Sequence, residues 1–319
     1  MTRKNLGLRI AIVLMASAVF FACGGGEQVL RINTWENPAT TEALTELNAR
    51  FMEEYPDITV ELTTAPTDQF NQSNPLRIQA GDVDIWSGFG FAQKKQDFHG
   101  EEVELAPEYQ NILAGLVEPL DGQSFLANYN EDSIEQFMTY EGSVYGVCMG
   151  TVVTSGIYWN KTLFAELGLD QPRTYDELVN AAETLQANGY TPFTAAGAPV
   201  WPIDMIMHGF LAGIYEDTNE LERSLWTGGA GYEDPRYIEM LTKYQNLLEN
   251  YYEEGFQTIE YNPHLGRFAS GTVGMMPDGI WQANGIATAI EEAGTDFEFG
   301  YMQIPAGDSP EDNQSYVAK

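Results

Sequence analysis

The segment VLRINTWENPATTEALTELNARFMEEYPDITVEL, residues 29–62, contains a complete strand–helix–strand unit. Val29 to Trp35 alternates apolar and polar side chains with a period of two, as a half-covered strand does. Leu44, Leu47 and Phe51 then fall on one face at the 3.6-residue spacing of a helix, which Tyr55-Pro56 stops. Ile58, Val60 and Leu62 alternate as a second strand. Working onward, Phe70 to Ala80 predicts another helix, Gly81 its stop, and Val83 to Trp86 a short third strand. Strands alternating with helices predict a parallel, helix-covered sheet.

The same pattern returns after residue 150. Thr174-Tyr175-Asp176-Glu177 is a capping box opening a helix with Leu178, Ala182 and Leu185 inward, ended by Gly189. Asp234-Pro235 predicts an N-cap with Pro at the first helical position, then a stripe of Ile238, Leu241, Gln245 and Leu248. Asn262-Pro263 predicts the same start before Leu265 and Phe268, and Thr272 to Met276 and Phe297 to Ile304 read as strands. The 319 residues suit two such domains.

The first 22 residues stand apart. Arg3, Lys4 and Arg9 precede an uncharged run from Ile10 to Ala22, too short to span a bilayer and suited to a secretory signal. Ala22-Cys23 followed by Gly24-Gly25-Gly26 resembles a bacterial lipobox, with Cys23 as the lipidated mature N-terminus; ordinary cleavage is the alternative. The aromatic pair Phe20-Phe21 departs from the commonest lipobox. The full chain carries 15 Lys+Arg against 47 Asp+Glu, net −32. Removing the leader takes away three positive charges and no negative ones, leaving −35 over 297 residues. That balance excludes nucleic acid and adhesion to anionic lipid through the protein's own surface. Cys148 is left without an intrachain partner, so the core must hold the fold.

Catalytic signatures are sparse. The chain has no G-x-S-x-G elbow, P-loop, H-E-x-x-H or C-x-x-C. His99, His208 and His264 are far apart in sequence and read as structural; no metal or cofactor is expected. The distinctive feature is aromatic residues at element ends. Trp35 closes the first strand, Trp86 the third, Trp201 sits between prolines, and Trp281 follows the strand ending near Pro277. Ligands of open α/β sheets bind beyond the carboxyl ends of strands. Flat aromatic faces there suit the C–H faces of sugar rings, with acidic side chains accepting bonds from hydroxyls. Each Trp has core or interface packing as its alternative.

Several blocks, in order, resemble the extracellular solute-binding proteins of ABC importers, of the sugar-binding type that includes maltose-binding protein. They are LNARFMEEYPDITV (47–60), RIQAGDVDIW (77–86), GLVEPLD (115–121), YEGSVYGV (140–147), GIYWNKTLFAELGL (156–169), PRTYDEL (172–178), FASGTVGMMPDGIW (268–281) and GYMQIP (300–305). Cys148 stands where the family usually has Pro, and members usually continue beyond Lys319, so a C-terminal truncation is expected.

The resemblance implies a two-lobed α/β protein of the type II periplasmic-binding-protein fold, each lobe a helix-covered, mostly parallel sheet, with the ligand cleft between them. The implied layout is a signal peptide at 1–22, lipidated Cys and tether at 23–28, a first lobe at 29–147, a second at 148–297 and a return segment to the first lobe at 298–319. It implies a non-enzymatic, monomeric carrier, exported and tethered to the membrane by a lipid anchor alone. Such a carrier captures a mono- or oligosaccharide by lobe closure and delivers it to the transmembrane permease of the importer. Trp201 and Trp281 are then stacking residues of the second lobe, and Trp35, Glu36 and Trp86 line the first lobe's rim. Asp278 is either a hydroxyl acceptor or a turn-forming residue, and Tyr145 either faces the cleft or packs at the hinge. A non-sugar solute, or a glycosidase acting through two carboxylates, are the alternative functions.

Overall fold

A computed structural model describes residues 28–88, 98, 107–150, 152–215, 219–312 and 317–318. Cys23 and the expected signal peptide lie outside the described residues. The first lobe opens with β1 (Gln28–Trp35), α1 (Pro38–Glu54), β2 (Ile58–Ala65), α2 (Thr67–Ala80) and β3 (Ile85–Trp86). It continues through α3 (Pro107–Leu113), α4 (Glu131–Phe137) and the hairpin β4 (Thr139–Tyr140) and β5 (Ser143–Val144). β1 is the central strand, parallel to β2 with Ile32 opposite Leu62, and to β3 with Asn33 opposite Trp86.

Local chemistry explains the boundaries. Asn37 caps α1 by accepting from the Thr40 amide, with Pro38 at the first helical position. α2 ends where Gly81 takes φ +66°, a left-handed conformation costly for residues with a Cβ. Asn33 points into the β1–α2 interface, where it donates to Asn74 (2.7 Å) and accepts from Arg77 (3.1 Å), so its burial is satisfied. Arg31 grips Asp84 with two bonds of 3.0 and 3.1 Å and ties β3 beside β1, holding the Asp84 carboxyl below its usual range. One expectation shifts: Leu47 is 55% exposed, while Asn48, 8% exposed, takes the inward position between Leu44 and Phe51. Asn48 lies four residues from Leu44 and Leu47 three, so either continues a 3.6-residue stripe, and the packing chooses Asn48.

The second lobe comprises β6 (Val152–Val153), β7 (Ile157–Asn160), α5 (Lys161–Glu166), α6 (Tyr175–Ala187), β8 (Thr191–Phe193), α7 (Trp201–Ile214) and α8 (Asn219–Thr227). α9 (Pro235–Asn250), α10 (Tyr261–Ala269), β9 (Val273–Pro277), α11 (Ala283–Ala293), β10 (Phe299–Met302) and β11 (Val317–Ala318) follow. The sheet order is β10-β7-β9-β8, with β8 and β9 parallel and the other pairs antiparallel, so this sheet is mixed. Its core packs Phe164, Leu178, Leu185, Phe210, Met240 and Met275, each fully buried.

Four expectations are adjusted here. The Thr174 hydroxyl caps the Glu177 amide as predicted, but Glu177 reaches back to the Arg173 amide rather than to Thr174. α9 begins at Asp234-Pro235, yet its inward residues are Met240, Tyr244 and Leu247, and Ile238 stands 52% exposed. Tyr244 can turn inward because its phenol donates to the Ile203 carbonyl at 2.6 Å. α10 starts at Tyr261 with Glu260 as N-cap, leaving Asn262-Pro263 inside the first turn. The segment expected to return to the first lobe from residue 298 begins instead as β10, antiparallel to β7 with Met302 opposite Ile157. A pairing of β11 with β6, Val317 opposite Val153, follows it. The chain between the lobes runs from β5 through Cys148, whose thiol donates to the Gly150 carbonyl. Among the described residues no helix is long and apolar enough to cross a membrane.

Candidate functional site

The site in the second lobe is built where β9 ends. The Asp278 amide donates to the Gly156 carbonyl (3.1 Å), fixing the turn that follows the strand. Trp281 sits in the next 3-10 turn, Ile280–Gln282, which packs against β6. Trp201 opens α7 and Tyr261 opens α10. The three rings converge: Trp201 lies 4.6 Å from Tyr261, centroid to centroid at 51°, and 6.4 Å from Trp281 at 45°. Trp201 and Trp281 are half-buried, each with part of its ring at the surface.

A buried polar network stands behind these rings. The Trp281 indole N–H donates to the Tyr261 phenol oxygen at 2.6 Å, and that hydroxyl donates to Asp278 Oδ1 at 3.1 Å. His264 Nε2 lies 2.9 Å from Asp278 Oδ2, and its Nδ1 faces the Tyr261 carbonyl. The Gly279 amide adds a 2.7 Å bond to Asp278 Oδ1. Asp278 and His264 both have 0% exposure. Two further phenols brace the turn: Tyr158 donates to the Gly279 carbonyl and Tyr301 to that of Asp278, each at 3.0 Å. Burial and then the Asp278 charge raise the Tyr158, Tyr261 and Tyr301 phenols, so all three stay protonated donors. Asp278 was expected to be a hydroxyl acceptor or a turn residue. Buried, with both oxygens already occupied, it organises the turn and the rings and offers no free lone pair at the surface.

The loop carrying Trp201 is held by backbone. Gly197 and Ala198 amides donate to the Phe256 and Ile259 carbonyls, both at 3.1 Å. A Cβ on Gly197 would stand 2.6 Å from the Gln257 Cα and the Phe256 oxygen, so only glycine permits this approach. Val200 then adopts φ +63°, ψ −46°, and the Trp201 amide closes back on the Pro199 carbonyl at 2.7 Å. This is a tight three-residue turn that a β-branched residue enters only under strain.

In the first lobe, Trp35 ends β1 and meets Phe70 edge-on at 5.6 Å. Glu36 is exposed and borders an open groove at the carboxyl ends of β1 and β2, together with Thr41, Glu42, Thr45, Glu46 and Thr64. Trp86 ends β3, half-buried. Tyr145 packs with Tyr140 against Tyr109 and Ile112, on the first lobe's own core beside the inter-lobe chain. The structure therefore joins Trp201 to Trp281, and sets Trp35, Glu36 and Trp86 at the strand ends of the other sheet. Sequence reading missed Tyr261 and treated His264 as packing. The available signal was their spacing of three on a helix, which places them on one face with Phe268.

Comparison with known proteins agrees with this geometry. Residues 37–318 match the family described as bacterial extracellular solute-binding protein. A "Multiple sugar-binding protein" of Streptococcus mutans is 26% identical over 318 residues, covering 95% of this chain and 70% of its own length. An uncharacterised ABC transporter extracellular-binding protein of Pyrococcus horikoshii is 24% identical over 96% of this chain and 70% of its own. Among solved structures, the solute-binding protein RafE in complex with raffinose superposes with a TM-score of 0.73 at 26% identity, over 91% of this chain and 71% of that one. Its apo form from Streptococcus pneumoniae gives 0.63 at 25% identity, over 92% and 70%. With residues 37–318 matched, most of its length, this two-lobed chain belongs to the bacterial extracellular solute-binding protein family.

Proposed function

We propose that this protein is the carbohydrate-capturing component of an ABC importer, an exported, non-catalytic carrier that holds a mono- or oligosaccharide between its lobes and presents it to a membrane permease. The observation that carries this reading is the cluster of half-buried Trp201, Tyr261 and Trp281 at the end of β9, with the Trp281 indole N–H bonded to the Tyr261 hydroxyl. Such a surface stacks on sugar C–H faces and supplies no nucleophile or acid–base pair. On the first lobe, Glu36 and its acidic groove provide acceptors for hydroxyls, and Trp35 and Trp86 at the strand ends add aromatic surface. The lobes divide at residues 147 and 148, and β10 adds residues 299–302 to the second. Lipidation at Cys23 would tether the carrier beside its permease.

The test is a thermal-shift screen with raffinose, maltotriose, xylotriose and chitotriose, because a ligand of the folded state raises Tm by mass action. Trp281→Ala should weaken the strongest hit by roughly 30-fold, about 2 kcal/mol, as expected for a central aromatic anchor. Unaltered binding in a folded Trp281→Ala protein would overturn the site. Release of cleaved product on prolonged incubation would favour a glycosidase instead.

A further inference from the structure

We propose that Tyr261 and His264, locked to Asp278, are positioning residues that fix the indole of Trp281, and through Tyr261 the ring of Trp201, in the orientation the ligand meets. The inference rests on the ligand site proposed above and assigns residues behind it. Tyr261 is the pivot. Its hydroxyl gives its proton to Asp278 and accepts the Trp281 indole N–H. A hydroxyl bonded on both sides holds its ring in one orientation, and that ring lies 4.6 Å from the ring of Trp201, centroid to centroid.

His264 fixes the pivot from below. Its two ring nitrogens face the Asp278 carboxylate and the Tyr261 carbonyl, groups that only accept. Both nitrogens are thereby engaged, in a site where neither His264 nor Asp278 is exposed. The charged and titratable groups facing this pair are Asp278 from the end of β9, Tyr261 on the same helix, Tyr301 from β10, which bonds the Asp278 carbonyl, and Tyr158 from β7, which bonds the Gly279 carbonyl. The arrangement buries polar groups at a desolvation cost that apolar residues would avoid. It is placed where it can do something apolar packing cannot, namely hold an indole N–H by a fixed acceptor. Binding surfaces whose side chains are ordered beforehand lose less entropy on association.

The experiment uses the indole N–H resonances of the free protein, with Trp281→Phe identifying the Trp281 signal, alongside calorimetric titration with raffinose or, if it gives no thermal shift, the strongest of maltotriose, xylotriose and chitotriose. Tyr261→Phe keeps the ring and removes the pivot's bonds. It should move the Trp281 resonance upfield, speed its exchange with water, and weaken the sugar about 10-fold. His264→Leu should do the same. His264→Gln, whose amide can still donate to Asp278, should restore the resonance towards wild type and limit the loss to about 3-fold. The native protein should also show a downfield imidazole N–H signal that His264→Gln removes. A Trp281 resonance unmoved by Tyr261→Phe, or moved with no change in affinity, overturns the inference. Unaltered affinity in Trp281→Ala overturns instead the ligand site on which it rests.

Discussion

Replacing Gly279 with Ala isolates the orientation of Trp281 from everything else in the second lobe. Gly279 has φ −79° and ψ 161°, an extended conformation that Ala adopts freely, so the backbone carries no strain in the variant. A Cβ built there lies 2.1 Å from Cη2 and Cζ3 of Trp281 and 2.5 Å from Cε3. Carbon–carbon contact is comfortable only at about 3.5–4.0 Å, so the indole must retreat by roughly 1.5 Å. Its N–H then leaves the Tyr261 oxygen, now 2.6 Å away, for a separation beyond hydrogen bonding. The fold loses one bond, about 1 kcal/mol net, and regains part of it because Ala narrows the unfolded ensemble. The ligand loses a correctly placed aromatic face, and affinity should fall by about 1–3 kcal/mol, or roughly 5- to 150-fold.

The assay is calorimetric titration of the strongest-binding oligosaccharide, paired with urea unfolding. Gly266→Ala serves as the control, since its Cβ would meet nothing within 4 Å on the exposed side of α10. It should stabilise the helix by about 0.5–1 kcal/mol and leave affinity alone. A folded Gly279→Ala protein that binds sugar within a factor of about two of wild type would refute the claim that the Trp281 orientation matters.

Three other outcomes follow from the same geometry. Val200→Gly should raise stability by about 1 kcal/mol in urea unfolding, because glycine relieves the φ +63° turn and Val200 is exposed, so no packing is lost; a loss of stability would show the turn is unstrained. Asp278→Ala leaves His264 facing only a carbonyl in a sealed site and should cost about 3–5 kcal/mol by the same measurement. Burial, with Tyr140 and Glu108 adding to it, pushes the Tyr109 phenol from 10.0 up to about 12. The native state then keeps a proton that the unfolded chain releases, so stability is complete below about pH 10 and declines as pH rises toward 12. Tyr109→Phe should flatten that part of the stability–pH curve, and an unchanged slope would refute the assignment.

How much of this was legible depends on how locally it is encoded. The alternation of β1 and β2, the Pro56 and Gly81 boundaries and the Asp234-Pro235 start are properties of neighbouring residues, and each was readable. The inward face of α9 was not, because Tyr244 counts as inward only once the Ile203 carbonyl is there to take its hydroxyl. The pairing of residues 299–302 was not readable for the same reason: their partner strand, Ile157–Asn160, lies far back in the chain. At the site, Trp201 and Trp281 stand out as aromatics at element ends, a local cue. That Asp278 is sealed between Tyr261 and His264 has no local cue at all, since an acidic residue in a Pro-Asp-Gly turn reads as exposed.

The two halves of the cleft also differ in kind, and the difference predicts how mutations divide. The second lobe's aromatic surface is held by bonds within one lobe, so it is formed whether or not the lobes close. The first lobe contributes an open acidic groove beside α1, and α1 touches α11 of the second lobe. Apparent affinity is the intrinsic affinity scaled by the closed fraction. Changes at Tyr261, His264 or Gly279 alter the intrinsic term and should act mainly on dissociation, leaving the open–closed equilibrium of the free protein unmoved. Changes along the α1–α11 contact alter the closed fraction and should shift small-angle scattering of the free protein while rescaling every sugar's affinity by one common factor. A Gly279→Ala effect that proved equal for all sugars and came with a changed scattering profile would place Trp281 in the closure contact instead of the binding surface.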